Sequence, residues 1–267
     1  MKRDGHIHTP FCPHGTTDTL AAYIEKAISN QFTDITFTEH APLPKNFVDP
    51  TPQKDSGMDP ALLIPYFEEL QILQNQYKNR INVHIGLEVD FIVGFENETR
   101  DFLNTYGHYL DDAILSVHFL PFSGEYTCID YSPEVFLSFC EKVGSVQQVY
   151  DLYYETVKQS IDADLGKYKP KRIGHPTLIH KFQHAHKQLI EDTMQIKQVL
   201  HHIKQAGYEL DVNSAGLSKS YCKEPYPSYD MISYAKEIQL PTVFGSDAHC
   251  VDDLHQHYDK ISPLLTI

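Results

Sequence analysis

The chain has 267 residues, 41% of them apolar and 22% charged, enough material for one sizeable core and consistent with one domain spanning residues 1–267. A formal charge of −14 disfavours nucleic-acid binding, which depends on Lys and Arg neutralising phosphates, and no apolar run approaches the ~18 residues of a membrane helix. The N-terminus turns polar directly after Lys2 and Arg3, so no signal-peptide core is present and a cytoplasmic location is expected; five scattered cysteines without a CxxC pair argue against disulfides and against a thiolate zinc site.

In chain order, Asp4–His8 is a β-type run in which alternation puts His6 and His8 on one face. A helical stripe of Leu20, Tyr23, Ile24, Ala27 and Ile28 follows the cap candidate Thr17. Asp34–His40 is the second run, and the proline-rich segment Ala41–Met58 after it exceeds ordinary loop length, as substrate walls often do. A helix is expected from Asp59-Pro60, with Leu63, Phe67 and Leu70 on its apolar face. Asn82–Asp90 and Asp112–His118 are further runs, followed by a mostly helical excursion over 132–170. Arg172–His175 is a short run; the next helix buries Ile196, Val199, Leu200 and Ile203 and stops at Gly207. Tyr208–Asn213 and Thr242–Asp247 complete the set of seven, and His249 shares a face with Asp247. Strand-helix alternation of this kind predicts a parallel α/β architecture, a distorted TIM-like (β/α)7 barrel with its chemistry, a metal site, at the C-terminal ends of the strands.

Those ends carry the strongest signal. His6, His8, His14, His40, Glu88, His118, His175, Asp247 and His249 each fall at or just after a strand end. Imidazoles and carboxylates without sulfur suit zinc, manganese or iron, and a bridging carboxylate lets such a set hold more than one ion. A lone strand-end histidine is ordinarily a hydrogen-bonded structural residue, but that does not explain nine such groups on one rim. His180, His184, His186, His201 and His202 read as solvent-exposed, and His84, His108, His255 and His257 carry no assignment. Cys12 lies near the motif, but no base is placed for it as a nucleophile. Glu39 has the parity of the outer face, with a supporting role behind a histidine ligand as its alternative.

These motifs, His6-x-His8, the isolated His40, Glu88, His118, His175 and Asp247-x-His249, resemble those of the PHP (polymerase and histidinol phosphatase) family over essentially the whole chain. Asp4-Gly-His-Ile-His-Thr-Pro-Phe-Cys-Pro-His-Gly15, Phe37-Thr-Glu-His-Ala-Pro-Leu-Pro44 and Gly166-Lys-Tyr-Lys-Pro-Lys-Arg-Ile-Gly-His175 are most similar to its histidinol-phosphatase branch. The resemblance implies a metal-dependent phosphomonoesterase acting on a small-molecule phosphate ester, L-histidinol phosphate, in histidine biosynthesis. It also implies three divalent ions (Zn, Mn or Fe): one on His6, His8, Glu88 and Asp247, a second on Glu88, His118 and His175, a third on His14, His40 and His249. Such ions lower the pKa of bound water and hold phosphoryl oxygens, while Asp247 or His249 is the expected proton donor to the leaving group. Arg172, Ser116 and Asn213 are candidate phosphate ligands, and Glu125 and Asp130 candidate partners of the cationic histidinol end. The alternatives are a family phosphatase acting on phosphotyrosine, sugar or nucleotide phosphates, and a metal-binding module without turnover.

Overall fold

Seven parallel strands lie side by side in the order in which the chain makes them, in a computed structural model that describes residues 2–266. They are β1 (Arg3–Ile7), β2 (Asp34–His40), β3 (Asn82–Asp90), β4 (Ile114–Ser116), β7 (Arg172–Ile173), β8 (Glu209–Asn213) and β9 (Thr242–Gly245). The ring closes between its first and last members: Ile7 bridges Ala248, the His8 N–H donates to the Ala248 carbonyl at 2.9 Å, and Asp247 N–H to His6 at 2.8 Å. An antiparallel hairpin, β5 (Phe119–Phe122) and β6 (Glu125–Cys128), stands apart from the barrel after β4. The expected distorted (β/α)7 TIM-like barrel is therefore the observed fold.

Helices α1 (Leu20–Ser29), α2 (Leu63–Tyr77), α3 (Glu96–Tyr106), α4 (Pro133–Val143), α5 (Val146–Asp162), α6 (Thr193–Gln205), α7 (Tyr229–Glu237) and α8 (Tyr258–Ile261) cover the sheet. Each longer helix buries one stripe, as Tyr23, Ile24 and Ala27 do in α1 and Ile196, Val199, Leu200 and Ile203 in α6. The cap of α1 is Thr19 rather than Thr17, because the Thr19 hydroxyl accepts the Ala22 N–H at 3.2 Å. Asp59 caps a short 3-10 turn, Pro60–Leu62, that leads into α2. No helix among the described residues is long and apolar enough to cross a membrane.

The hairpin was not expected from the sequence. Its two-residue turn, Ser123-Gly124, has positive φ at both positions (52° and 82°), the requirement of a tight primed turn. Glu125 consequently sits at an exposed tip, with its side chain 74% accessible and paired to Lys142, which corrects its assignment to the substrate end.

Candidate metal centre

The C-terminal ends of the strands converge on Glu88, a fully buried carboxylate of β3. Its Oε1 lies 2.9 Å from His175 Nε2 and 3.7 Å from His118 Nε2; its Oε2 lies 3.2 Å from His40 Nδ1 and 3.4 Å from Nε2 of both His6 and His8. Asp247 Oδ1 approaches His8 Nε2 at 3.1 Å and His6 Nε2 at 3.7 Å. Two of these positions leave their strands with unusual backbone: φ is +21° at His175 and +52° at Asp247. Left-handed backbone at a non-glycine residue costs about 1–3 kcal/mol and is kept where surrounding structure enforces it.

Carboxylates behind the ring hold the imidazoles in place. His6 Nδ1–H donates to Asp211 at 2.9 Å, His8 Nδ1–H to Glu39 at 3.3 Å, and His118 Nδ1–H to Asp90 at 2.7 Å. A carboxylate only accepts, so each Nδ1 bears the proton and each Nε2 lone pair is turned towards Glu88. Glu39 also takes the Thr9 and His40 N–H groups at 2.8 and 2.9 Å. Asp211 fits because β9 has glycine beside it: a Cβ on Gly245 would lie 2.6 Å from Asp211 Oδ1 and from His6 Cβ. Backing carboxylates of this kind fix tautomer and raise basicity in histidines that bind metal.

The electrostatics agree. Burial disfavours charge on His6 and His118, yet Asp211, Glu88 and Asp247 around the first, and Asp90 and Glu88 around the second, raise both to about 10. Burial pushes Glu88 up, but His6, His118 and His175 together hold it well below the usual carboxylate range. His40, buried and facing His8, falls to about 3 and is neutral. A field that draws protons onto imidazoles draws divalent cations to the same lone pairs, with the two in competition. His40 Nδ1 and His175 Nδ1 are buried without a hydrogen-bond partner among the described residues, and three groups of donors each lie within 4.8 Å: His6, His8 and Asp247; His6, Glu88 and His175; His8, Cys12, His40 and His249. This donor set fits divalent metal ions.

His14 is the outlying member. It is half-exposed, with Nε2 3.1 Å from Asp55, while Cys12 lies inside the cluster. Burial pushes the Cys12 thiol up, and hydrogen bonds with His14, His249 and His8 more than offset this, bringing it to about 6. His249 donates its Nδ1–H to the Asp247 carbonyl at 3.1 Å and is 33% accessible at its side chain.

Arg172 is corrected, and none of the three candidate phosphate ligands lines the cavity above the cluster. Arg172 begins β7 and so lies at the opposite end of the barrel from His175, donating to the Gly5 carbonyl at 2.8 Å and to Asp112 at 2.7 Å. Ser116 has a single proton, which it donates to Glu88 Oε1 at 2.6 Å. Asn213 donates to Asp247 Oδ2 at 3.0 Å and accepts the Ala215 N–H at 2.9 Å. The last two hold the Glu88 and Asp247 carboxylates of the cluster. Lys181 and Lys219 are the lysines that line the cavity above the cluster, a space of about 560 Å³ also bounded by Thr51, Asp55 and Ser56 of the proline-rich loop. Lys181 pairs with Asp130 at 2.8 Å, and although burial raises Asp130, Lys181 and His118 hold it well below the ordinary carboxylate range.

His180, expected at the surface, is buried between two acids, 2.7 Å from Asp192 and 2.6 Å from Glu224. Burial lowers its pKa, but these hydrogen bonds raise it to about 9. The clamp ties the segment after β7, which carries Lys181, to the start of α6. With a folded pKa above the ordinary 6.5, its stabilisation is complete below about pH 6.5 and lost as pH rises through about 9, worth about 3 kcal/mol at about 1.4 kcal/mol per unit. His180→Gln is expected to show that deficit in urea unfolding at pH 6 and to approach the parent protein at pH 10; a deficit independent of pH would refute the charged clamp.

The sequence profile described as the PHP domain matches residues 4–215. The chain is 47% identical over 261 residues to the histidinol-phosphatase of Bacillus subtilis (strain 168), covering 97% of each. It is 32% identical over 246 residues to a probable histidinol-phosphatase of Deinococcus radiodurans, covering 92% of this chain and 85% of that one. Among solved structures, a provisionally named histidinol phosphatase from Listeria monocytogenes matches with a TM-score of 0.91 at 40% identity, over 97% of this chain and 99% of that one. The histidinol phosphate phosphatase of Lactococcus lactis, complexed with zinc, L-histidinol and phosphate, matches with a TM-score of 0.72 over 98% and 93%; at 17% identity that likeness speaks for the fold. Barrel, ligand ring and relatives agree, and the chain belongs to the PHP-domain family.

Proposed function

We propose that this protein is a metal-dependent phosphatase that hydrolyses L-histidinol phosphate to L-histidinol and phosphate. The chemistry rests on one observation above all, the buried carboxylates behind His6, His8 and His118 that leave three Nε2 lone pairs facing Glu88. The substrate rests on 47% identity to the Bacillus subtilis histidinol-phosphatase across nearly the full length of both chains. We read residues 1–267 as one catalytic domain, because β9 lies beyond the profile match yet leads directly into Asp247 and His249.

Three ions suit the donor groups: one on His6, His8, Glu88 and Asp247, one on Glu88, His118 and His175, and one on the side of His40 and His249, where His14 is the expected partner. Zinc, manganese and iron all accept such donors. When bound, they supply a nucleophile at neutral pH and neutralise phosphoryl oxygens. Glu88 is held by Ser116 and Asp247 by Asn213, so neither carboxylate has to reorganise during the reaction. Asp247 lines the cavity and is held ionised: burial raises it, but His6 and His8 outweigh that. We assign it proton transfer, taking a proton from the attacking water and returning it to the leaving alkoxide, with His249 beside it. Lys181 and Lys219 face the phosphate, and Asp130 the ammonium of histidinol. A net charge of −14 favours a small ester over nucleic acid.

The test is phosphate release by metal-assayed protein from L-histidinol phosphate, phosphotyrosine peptide, sugar and nucleotide phosphates and p-nitrophenyl phosphate. L-Histidinol phosphate is expected to lead in kcat/KM by at least about a hundredfold. Even hydrolysis across the panel would remove the substrate and keep the phosphatase; no turnover with ions bound would leave a binding module.

A further inference from the structure

We propose that Asp49 is a positioning residue that sets substrate choice: it makes the proline-rich segment Ala41–Met58 a fixed wall of hydrogen-bond acceptors, which selects phosphate esters whose other end is a cationic donor. The inference rests on the substrate proposed above and adds the element that reads its histidinol end. Asp49 is buried, forms no ion pair among the described residues and uses both carboxylate oxygens inside its own loop. Oδ1 accepts the Thr51 N–H and hydroxyl, each at 2.9 Å, and the Ser56 hydroxyl at 3.1 Å; Oδ2 accepts the Ser56 N–H at 3.0 Å. A buried carboxylate without a cation is costly unless several donors hold it, so these four bonds fix the path of the chain from residue 49 to residue 56.

The consequence lies on the other face of the loop. Thr51 and Ser56 line the cavity above the metal cluster. Each hydroxyl has one proton and a carboxylate only accepts, so both protons go to Asp49 and each oxygen has lone pairs alone to offer. Asp55 of the same segment and Asp130 opposite add carboxylates to that lining. The wall is also held from outside: the Phe47 ring packs against Phe95, Phe119 and Tyr126 at 5.3, 4.9 and 5.1 Å between centroids, and the Tyr131 hydroxyl donates to Gln53 Oε1 at 2.7 Å. Acceptors set in advance lose little freedom when a ligand arrives. The ammonium and imidazole N–H groups of L-histidinol are donors that such a wall pairs, whereas an aryl or anionic end leaves its oxygens unpaired.

The test compares L-histidinol phosphate with p-nitrophenyl phosphate, an ester without a donor at its far end, on full-length, metal-assayed protein. Asp49→Asn puts an NH2 where the loop supplies N–H and O–H donors, and Ser56→Ala removes one wall oxygen. In both, kcat/KM for L-histidinol phosphate is expected to fall about tenfold further than for p-nitrophenyl phosphate, through KM, the effect of one hydrogen bond to a charged group. L-Histidinol should inhibit p-nitrophenyl phosphate hydrolysis correspondingly more weakly. Thr51→Ser, which keeps the hydroxyl, is expected to retain most of the preference that Thr51→Val loses. Equal losses on the two esters would make Asp49 a purely structural residue, and an undiminished preference in Ser56→Ala and Thr51→Val would remove the wall; either overturns the proposal, and Ser56→Ala decides it if Asp49→Asn does not fold. A parent protein that shows no preference for L-histidinol phosphate overturns the substrate reading itself, and this inference with it.

Discussion

Glu88→Gln is expected to lose at least one equivalent of bound metal and to lower kcat for L-histidinol phosphate by at least about 10³-fold, equivalent to about 4 kcal/mol of transition-state stabilisation. The substitution is nearly isosteric, so a barrel that packs around Glu88 keeps its shape while the central charge disappears. Five histidines lie within 3.7 Å of this carboxylate. An amide supplies one neutral oxygen where two donor groups now share two charged ones. Its NH2 would also face imidazole lone pairs already fixed by Asp211, Glu39 and Asp90. Elemental analysis beside steady-state kinetics checks this, with far-ultraviolet circular dichroism as the control for folding. Full metal content and near-parental turnover would remove Glu88 from the centre of the site.

The second large effect is on stability. Arg172→Ala is expected to cost about 4 kcal/mol, because it strips a buried charge from Asp112 and leaves an empty space inside the barrel. In a protein of this size that corresponds to a fall in Tm of about 10 °C. Arg172 is 1% accessible, and a Cβ on Gly5 would come within 2.5 Å of its Nη1, so the strand opposite is shaped to its guanidinium. Asp112 retains Arg3 and Thr36, so the loss is partial. KM for phosphomonoesters should be unchanged at temperatures where the variant is folded. Thermal unfolding and KM together decide: a raised KM at parental Tm would return Arg172 to the phosphate.

The strands and the donor cluster were legible because most of its members end or directly follow an apolar run, and a barrel puts all such ends on one rim. What supports them was less visible. Asp211 and Asp90 contact histidines from other strands, and only their charge within otherwise buried β8 and β3 hinted at it. Glu39 has the outer parity expected of it, yet the chain turning over β1 at Thr9 brings His8 to it. Arg172 was misplaced because it is near His175 in sequence, whereas strand direction separates a residue that begins a strand from one that follows it. His180 read as a surface residue because nothing local announced two acids from distant segments. Cys12 was set aside because no base was placed for it as a nucleophile, and its position beside His8, His40 and His249 depends on two turns that spacing alone does not reveal.

The seam between β1 and β9 has a consequence for how the enzyme acquires its ions in the cell. Donors at residues 6 and 8 meet those at 247 and 249 only across that seam, so the donor groups that include Asp247 or His249 stay incomplete in a nascent chain until its last strand has emerged and paired, whereas His6, Glu88 and His175 need nothing beyond β7. An ion that arrives during synthesis finds those two groups short of a donor. Selection among the metals available is thus deferred, at those two groups, to the folded protein, where geometry and donor type decide it and order of arrival does not.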